Sequence, residues 1–245
     1  GGALSLADAD GRLWQFRLPA GELSEAALEL PFKTNDRAAC FAFSQDGSLA
    51  AAGSYQGAVV LWSGLFAENE TPAVRTLRTG SVGGSPAAAA AFSPGCGSAA
   101  TDACQLAAAF GNGELLLWTL DGADPLRIES PERPLDLDFA PDGSLLAVAT
   151  EAGVHVLRLS DGVWVRSFPG YAAQFSPTGD LVVVDGGPGR RSHITVYNAE
   201  AGTLIKTWDA SGGTLALSPD GQLLAVSGLA VDLWDLNAAA PVLLN

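Results

Sequence analysis

The sequence predicts an all-β fold in which small antiparallel sheets repeat along the chain. Three observations predict it: a short turn phrase that occurs five times, a second apolar phrase after each copy, and a regular spacing of the copies. The spacing is roughly 40 residues with several short strands per period, which is typical of a β-propeller. We predict four-stranded blades, six of them visible. The alternative is a seven-bladed ring with part missing or completed by other residues.

The turn phrase joins the first two strands of each repeat. Pro presets φ at the first turn position, Asp binds its own backbone, and Gly occupies the position where φ is positive. An apolar run such as Leu145–Val148 follows the turn, which predicts a hairpin. The copies are Phe43-Ser44-Gln45-Asp46-Gly47, Phe92-Ser93-Pro94-Gly95, Phe139-Ala140-Pro141-Asp142-Gly143, Phe175-Ser176-Pro177-Thr178-Gly179 and Leu217-Ser218-Pro219-Asp220-Gly221.

The second phrase is a Gly-containing turn followed by an apolar strand that ends in a large ring. The rings are Trp62, Trp118, Tyr197 and Trp234, and Arg158 takes this position in the third copy. They follow the first turn residue by 16 to 25 residues, and the longer spacings indicate insertions in turns.

Together the two phrases resemble the WD-repeat family over essentially the whole chain. The resemblance rests on the turn phrase and on strand ends such as Leu61-Trp62-Ser63 and Leu233-Trp234-Asp235. One feature departs from the family: the only histidines are His155 and His193, and neither follows a Gly. The family's buried Asp-His-Ser-Trp hydrogen-bond set is therefore incomplete in every blade. The resemblance implies a propeller that assembles multi-protein complexes, often as one domain of a larger protein.

Strand positions divide the chain into one partial and five complete units. We expect a single propeller domain over residues 1–245, excised from a longer protein. Residues 1–30 hold three strands, Ala3–Ala7, Leu13–Leu18 and about Ala26–Leu30, and lack the innermost one; Ser24–Leu30 also has helix-forming composition. Residues outside this chain, the lost part of a larger ring, or strand addition by a partner peptide can fill that gap. The complete units span about 38–79, 87–129, 134–168, 171–208 and 213–245.

Composition limits the classes of partner. The net charge is −14, which argues against general nucleic-acid binding because phosphates need a basic face. No run of about 18 apolar residues occurs, so we expect no membrane span. We expect a cytoplasmic location, although the chain has no Met and its cysteines leave the compartment open.

The three cysteines have different interpretations. Cys40 lies in an apolar strand and is interpreted as a small core residue. Cys96 and Cys104 bracket an insertion in the second turn, and they are either a disulfide across its neck or two thiols. A metal site is disfavoured because no His or third Cys is near.

Catalytic and cofactor chemistry finds little support. His155 alternates within a strand and is interpreted as structural or half-exposed, and His193 follows a Gly-rich loop. No Gly-X-Ser-X-Gly elbow or P-loop pattern occurs. Asp136 and Asp138 lie on one side of an inner strand, but a hard cation usually gathers six or more oxygens, so solvated carboxylates are favoured. We predict no catalytic residue, cofactor or metal, and hence no enzyme.

Charges separate between the two loop faces that the resemblance implies. The loops before the first strand and after the second share one face, which receives the scarce cations. Arg suits carboxylate recognition and aromatic stacking, so this face is predicted to dock an acidic or polar protein segment. The predicted binding residues are Lys33, Arg37, Arg133, Tyr171, Arg190 and Arg191. The opposite face receives Asp46, Glu68, Glu70, Asp102, Asp121, Asp124, Asp142, Asp161, Asp180, Glu200 and Asp220.

The leading functional prediction is a non-catalytic protein–protein interaction scaffold, because loops on a rigid ring carry recognition. One alternative is a regulatory propeller that promotes nucleotide exchange on a small GTPase through a loop, Gly186–His193 or Thr79–Pro86. Another is a metal-dependent propeller hydrolase. Fold alone does not choose among them.

Overall fold

The structure, a computed structural model, contains 23 strands and no helix in the residues that it describes. None of those residues therefore belongs to a helix that is long and apolar enough to cross a membrane. The chain groups into two compact units, Gly1–Glu129 and Ser130–Asn245, which are described separately. The described residues are 3–7, 12–17, 22–27, 32, 36–65, 72–80, 84–97, 104–185, 192–210, 213–227, 230–236 and 242–244.

The first unit holds three antiparallel sheets in the described residues, and in each one the strands pair in chain order. The first sheet has three strands: β1 (Ala3–Ala7), β2 (Arg12–Arg17) and β3 (Glu22–Ala27). The second has β4 (Ala38–Phe43), β5 (Leu49–Ser54), β6 (Val59–Ser63) and β7 (Ala73–Arg78). The third has β8 (Ala87–Phe92), β9 (Gln105–Phe110), β10 (Glu114–Thr119) and β11 (Leu126–Glu129).

The second unit holds three four-stranded sheets with the same pairing order. The fourth sheet has β12 (Pro134–Phe139), β13 (Leu145–Thr150), β14 (Val154–Arg158) and β15 (Val163–Phe168). The fifth has β16 (Ala172–Phe175), β17 (Asp180–Asp185), β18 (Ser192–Asn198) and β19 (Leu204–Ala210). The sixth has β20 (Thr214–Leu217), β21 (Leu223–Ser227), β22 (Val231–Asp235) and β23 (Val242–Leu244).

In the described residues the first sheet has three strands and each of the other five has four, while the predicted repeat boundaries stay a prediction. One boundary was wrong: the outer strand expected at about Ala26–Leu30 lies at Glu22–Ala27. The helix considered for Ser24–Leu30 is also absent from the described residues 24–27. The reason is pairing with β2, which runs from Arg12 opposite Ala27 to Arg17 opposite Glu22 and outweighs a helix too short to be stable alone. Strand addition at this sheet stays a prediction.

The turn phrase adopts the expected chemistry. Its Asp side chain accepts the backbone N–H two residues later, as in the pair Asp142 and Ser144 at 2.9 Å. Residues Gly47, Gly143, Gly179 and Gly221 have φ values of 73°, 72°, 88° and 70°, the left-handed region that favours glycine. The turns are therefore determined locally.

Small side chains bring neighbouring sheets close together. The second strands of the second to fifth sheets are almost fully buried, with alanines in β5 and β9 and larger aliphatic residues in β13 and β17. A Cβ placed on Gly53 in β5 would collide with the Cβ of Ala87 in β8 and the Sγ of Cys40. The close approach of the second and third sheets therefore requires glycine there, as expected for converging blades.

Candidate functional site

One edge of each sheet carries the loop before the first strand and the loop after the second. We call this the first edge. Backbone hydrogen bonds join the two loops within a sheet and so show that they are adjacent. The bonds run from Tyr55 N to Arg37 O (3.0 Å), Gly111 N to Pro86 O (2.9 Å), Tyr171 N to Val184 O (3.0 Å) and Gly213 N to Ser227 O (2.6 Å).

Acidic side chains reinforce the first edge in two sheets. In the second sheet the Asp36 carboxylate accepts the backbone N–H of Gln56 at 3.1 Å. In the fourth sheet the buried Thr150 hydroxyl donates to Glu132 Oε2 at 3.1 Å. The first bond ties the loop before β4 to the turn after β5. The second joins a side chain before β12 to one at the end of β13, so both help to order this edge.

The structure describes three of the six predicted binding residues. Arg37 is exposed, in the first compact unit. Arg133, in the second unit, is 60% exposed and lies 3.8 Å from the exposed Glu151 carboxylate. Tyr171 is half-buried and packs against a core cluster that includes Val182 and Val184, so its ring has a structural role as well. The other three, Lys33, Arg190 and Arg191, lie outside the described residues.

The opposite edge, which we call the second edge, carries the turn phrases and the turns after the third strands. Leu159 N donates to Ser144 O at 3.0 Å and Leu236 N to Gln222 O at 2.8 Å, which joins the two turns in each sheet. Hydrogen bonds from the backbone and hydroxyl of Ser144 hold the pKa of Asp142 below its usual range. Asp142 therefore keeps its negative charge at neutral pH.

The turn insertion of the third sheet contains the disulfide that the sequence left open. Cys96 and Cys104 are bonded, with 4.9 Å between their Cα atoms, and both are buried. Cys40 is half-buried and packs on the core between the second and third sheets, as expected for a small core residue. Disulfides are typical of oxidising compartments, so the expected cytoplasmic location stays a prediction.

The two histidines lie in different sheets and have different partners. His155 Nδ1 is 2.8 Å from Ser167 Oγ across β14 and β15, and His193 Nδ1 is 2.9 Å from Asp209 across β18 and β19. A Ser-His-Asp site needs all three groups in one place. The described residues bring no such set together around either ring. His155 is half-buried in its strand, as predicted.

Two carboxylates line a hollow of about 180 Å³ at the first strands of the second unit. Asp136 and Asp138 share one side of β12, as predicted. Burial raises the pKa of Asp138 to about 7, against the opposing effect of a 2.6 Å hydrogen bond from Phe175 N. Asp136 is reached by solvent, although the surrounding protein also raises its pKa. The expectation of two solvated carboxylates was therefore wrong for Asp138, which is half-buried and bound to the next sheet.

Metal and loop chemistry gain no support here. No group of three or more His, Cys, Asp or Glu residues able to hold a metal occurs in the described part of the chain. The loops Gly186–His193 and Thr79–Pro86, considered for nucleotide exchange, fall partly outside that part. The exchange and hydrolase alternatives thus stay untested predictions.

Comparison with known proteins agrees with this architecture. Residues 32–63 match the model of the WD domain, G-beta repeat. A solved chain from "Crystal Structure of Mitotic Checkpoint Complex" is similar with a TM-score of 0.76 and 16% identity, over 100% of this chain and 73% of that chain. At that identity the likeness shows the fold alone. A search of curated protein sequences finds no match.

The fold is therefore a β-propeller, with one three-stranded and five four-stranded antiparallel sheets in the described residues and a match to a solved propeller over the full chain. The resemblance to WD-repeat proteins is confirmed as well, since a WD repeat lies at residues 32–63 and covers β4 to β6. Propellers of this kind generally serve as protein-interaction scaffolds.

Sequence reasoning missed a link between first strands. Asp138 accepts Phe175 N, and Gln174 Oε1 accepts Leu217 N at 2.9 Å in the next pair of sheets. Both acceptors stand directly before the Phe that opens a turn phrase, Phe139 and Phe175. A polar residue at the same repeat position of an apolar strand is the signal that points to such a link.

Proposed function

We propose that this propeller is a non-catalytic scaffold that docks an acidic or polar segment of a partner protein on its first edge. WD-repeat propellers generally bind proteins, and this chain has their fold. The single observation that carries the proposal is the exposed Arg133, which follows Glu132, a residue whose side chain is bonded to the buried Thr150.

The order of the first-edge loops favours binding because it reduces the entropy that is lost when a partner binds. Ordering a flexible loop on binding costs free energy, and a loop that is already ordered avoids that cost. The bond between Thr150 and Glu132 and the bond between Gln56 and Asp36 order first-edge loops in two sheets. Side chains on these loops are thus presented before a partner arrives.

The Arg133 guanidinium can exchange its present carboxylate partner for one on a bound protein. Arg133 and Glu151 are 3.8 Å apart and are 60% and 68% exposed. An exposed pair of this kind contributes only about 0–1 kcal/mol. A partner carboxylate that forms a two-pronged hydrogen bond with the guanidinium can therefore replace Glu151 at small cost.

The experiment has two stages. Affinity purification of the tagged full chain, followed by mass spectrometry, identifies bound proteins, and the purified partner is then titrated against variants. We expect Arg133→Glu and the pair Arg190→Glu and Arg191→Glu each to weaken binding about tenfold, or ~1.4 kcal/mol, and to reduce its salt dependence.

The matched control is Arg166→Glu, which reverses an exposed arginine on the outer strand β15. Its affinity should equal that of the unaltered chain. Equal affinity and equal salt dependence for all the first-edge variants would contradict the proposal.

A further inference from the structure

A second hollow, of about 440 Å³, opens on the second edge between the fourth and fifth sheets. It is lined by the turn phrases at residues 140–145 and 177–179 and by the turn after β18 at residues 198–200. Its volume falls in the range of about 300–1,000 Å³ that is usual for ligand pockets. It lies within the second compact unit.

The apolar surface of the hollow lies at its mouth. Ala140 and Ala199 are each 2% exposed and Leu145 is 9% exposed, so these three side chains offer a ligand little surface. Pro141 and Pro177 are exposed at the mouth. Such a surface suits the methylene stem of a long side chain, which gains from leaving water.

Two carboxylates determine the charge of the hollow. Asp142 and Glu200 both line it and both are exposed. The Asp142 Oδ1 atom accepts the N–H and the hydroxyl of Ser144 at 2.9 and 2.7 Å, which holds the pKa of Asp142 down and keeps it ionised. Among the described residues that line the hollow none is Lys or Arg, so its lining supplies no positive charge of its own.

We propose that this hollow binds a Lys or Arg side chain from a basic segment of a partner protein. The stem packs on the exposed rings of Pro141 and Pro177, and the cation binds Asp142 and Glu200. Hydrogen bonds between a cation and a carboxylate are stronger than neutral ones. The net charge of −14 also raises the concentration of cationic partners near the surface.

This surface is distinct from the one in the proposed function. It lies on the second edge instead of the first, and it selects positive partners instead of negative ones. The two edges can therefore hold two differently charged partner segments at one time, which suits a scaffold.

The test is a fluorescence-anisotropy titration of the full chain with a labelled peptide of alternating Lys and Ser. A peptide of alternating Glu and Ser serves as the probe control. The double variant Asp142→Asn and Glu200→Gln removes the two charges, and its amide groups retain hydrogen-bond acceptors for the turn. We expect this variant to lose affinity for the Lys peptide at least tenfold.

A matched double variant removes the same charge elsewhere. Asp220 occupies the turn-phrase position of the sixth sheet and Asp121 follows β10 in the third, and neither lines the hollow. Asp220→Asn with Asp121→Asn should change the affinity less than twofold. Equal losses in both double variants would overturn the proposal, because they would show general attraction to an acidic protein.

Amide chemical-shift mapping locates the bound peptide independently of substitution. We expect the largest shifts at Asp142, Thr178 and Glu200. Shifts confined to the first edge would overturn the proposal, as would spermidine or Ca²⁺ that binds at this hollow as tightly as the Lys peptide. Retained Lys-peptide binding in Arg133→Glu separates this result from the proposed function.

Discussion

The Asp138 carboxylate accepts the backbone N–H of Phe175 at 2.6 Å and so joins the first strands of the fourth and fifth sheets. First strands lie at sheet edges, where backbone groups have no strand partner on one side. Gln174 repeats the arrangement with Leu217 N in the next pair of sheets at 2.9 Å. The two links differ in one respect that matters for stability: the first acceptor titrates and the second is neutral.

Asp138→Asn is expected to remove a pH dependence of folding. Burial raises the pKa of Asp138 from 3.8 to about 7, so the folded protein retains a proton that the unfolded chain releases near pH 4. This stabilisation is complete below pH 4 and is lost as the pH rises through 7. At 1.36 kcal/mol per pKa unit the upper limit is roughly 4 kcal/mol, and solvent at this half-buried group reduces it.

Urea unfolding at pH 5, 6, 7 and 8 measures the effect. The Asn variant should retain the bond to Phe175 N, show a flatter profile and be more stable than the unaltered chain at pH 8. Carboxyls with a lowered pKa, such as Asp142, change the free energy of unfolding only at more acidic pH and do not affect its profile between pH 5 and 8. Superimposable profiles for the two proteins would refute the assignment.

Ala140→Ser is expected to stabilise the fourth sheet. In the second and sixth sheets the Ser44 and Ser218 hydroxyls accept an N–H five residues later, each at 2.9 Å. The backbone N–H of Ala140 donates to Leu145 O at 2.9 Å, as in those turns, but Ala140 has no hydroxyl to accept the Leu145 N–H. One added hydrogen bond should raise the free energy of unfolding by about 0.5–1.5 kcal/mol.

Chemical denaturation compares Ala140→Ser with Ser44→Ala, the reverse change at the same turn position of the second sheet. Ser44→Ala removes the corresponding acceptor from the buried Leu49 N–H and should lower stability by about 1–3 kcal/mol. A stability loss for Ala140→Ser would show that the turn of the fourth sheet has no room for the hydroxyl.

The disulfide between Cys96 and Cys104 should respond to reductant. The cysteines are eight residues apart, and cross-linking so short a loop contributes about 2–3 kcal/mol. Reductant should lower the free energy of unfolding of the unaltered chain by that amount, and the denaturation midpoint should fall with it. Replacing both cysteines by Ser should produce a similar loss and abolish the response, whereas Cys40→Ala should keep it. An unchanged midpoint in reductant would show that the bond adds no stability.

Glu114→Gln is expected to destabilise the first unit. Glu114 in β10 is 10% exposed, lies 2.7 Å from Arg78 and 2.9 Å from Arg127, and so links β7 of the neighbouring sheet to its own sheet. Arg78 also lies 4.1 Å above the centre of the Phe110 ring. Removing a buried charge that two cations share should cost about 2–4 kcal/mol.

Glu151→Gln is the control for that substitution. It weakens the exposed pair with Arg133, and thermal or chemical unfolding should detect a change below about 0.5 kcal/mol. Equal effects of the two substitutions would show that burial does not strengthen the Glu114 pair.

The sheets were predictable because their turns are local. Pro, Asp and Gly in the turn phrase act within a few residues, so each hairpin follows from its own sequence. The bounds of the outer strand β3 were missed, because they follow from its pairing with β2.

The burial of Asp138 and its raised pKa were not predictable from the local sequence. Its burial depends on β16 and β20, which lie far along the chain and line the same hollow. The disulfide likewise depends on how close two turn ends approach in space. The charged residues of the first edge were visible in the sequence, but only the structure shows their exposure and the hydrogen bonds of the loops that carry them.

Hydrogen–deuterium exchange of the full chain, with and without its purified partner, tests the central claim most directly. The account predicts that binding slows exchange at first-edge peptides, which include residues 36–37, 55–58, 132–133 and 151–153. Slowed exchange confined to the outer strands, β7, β11, β15 and β19, would contradict it.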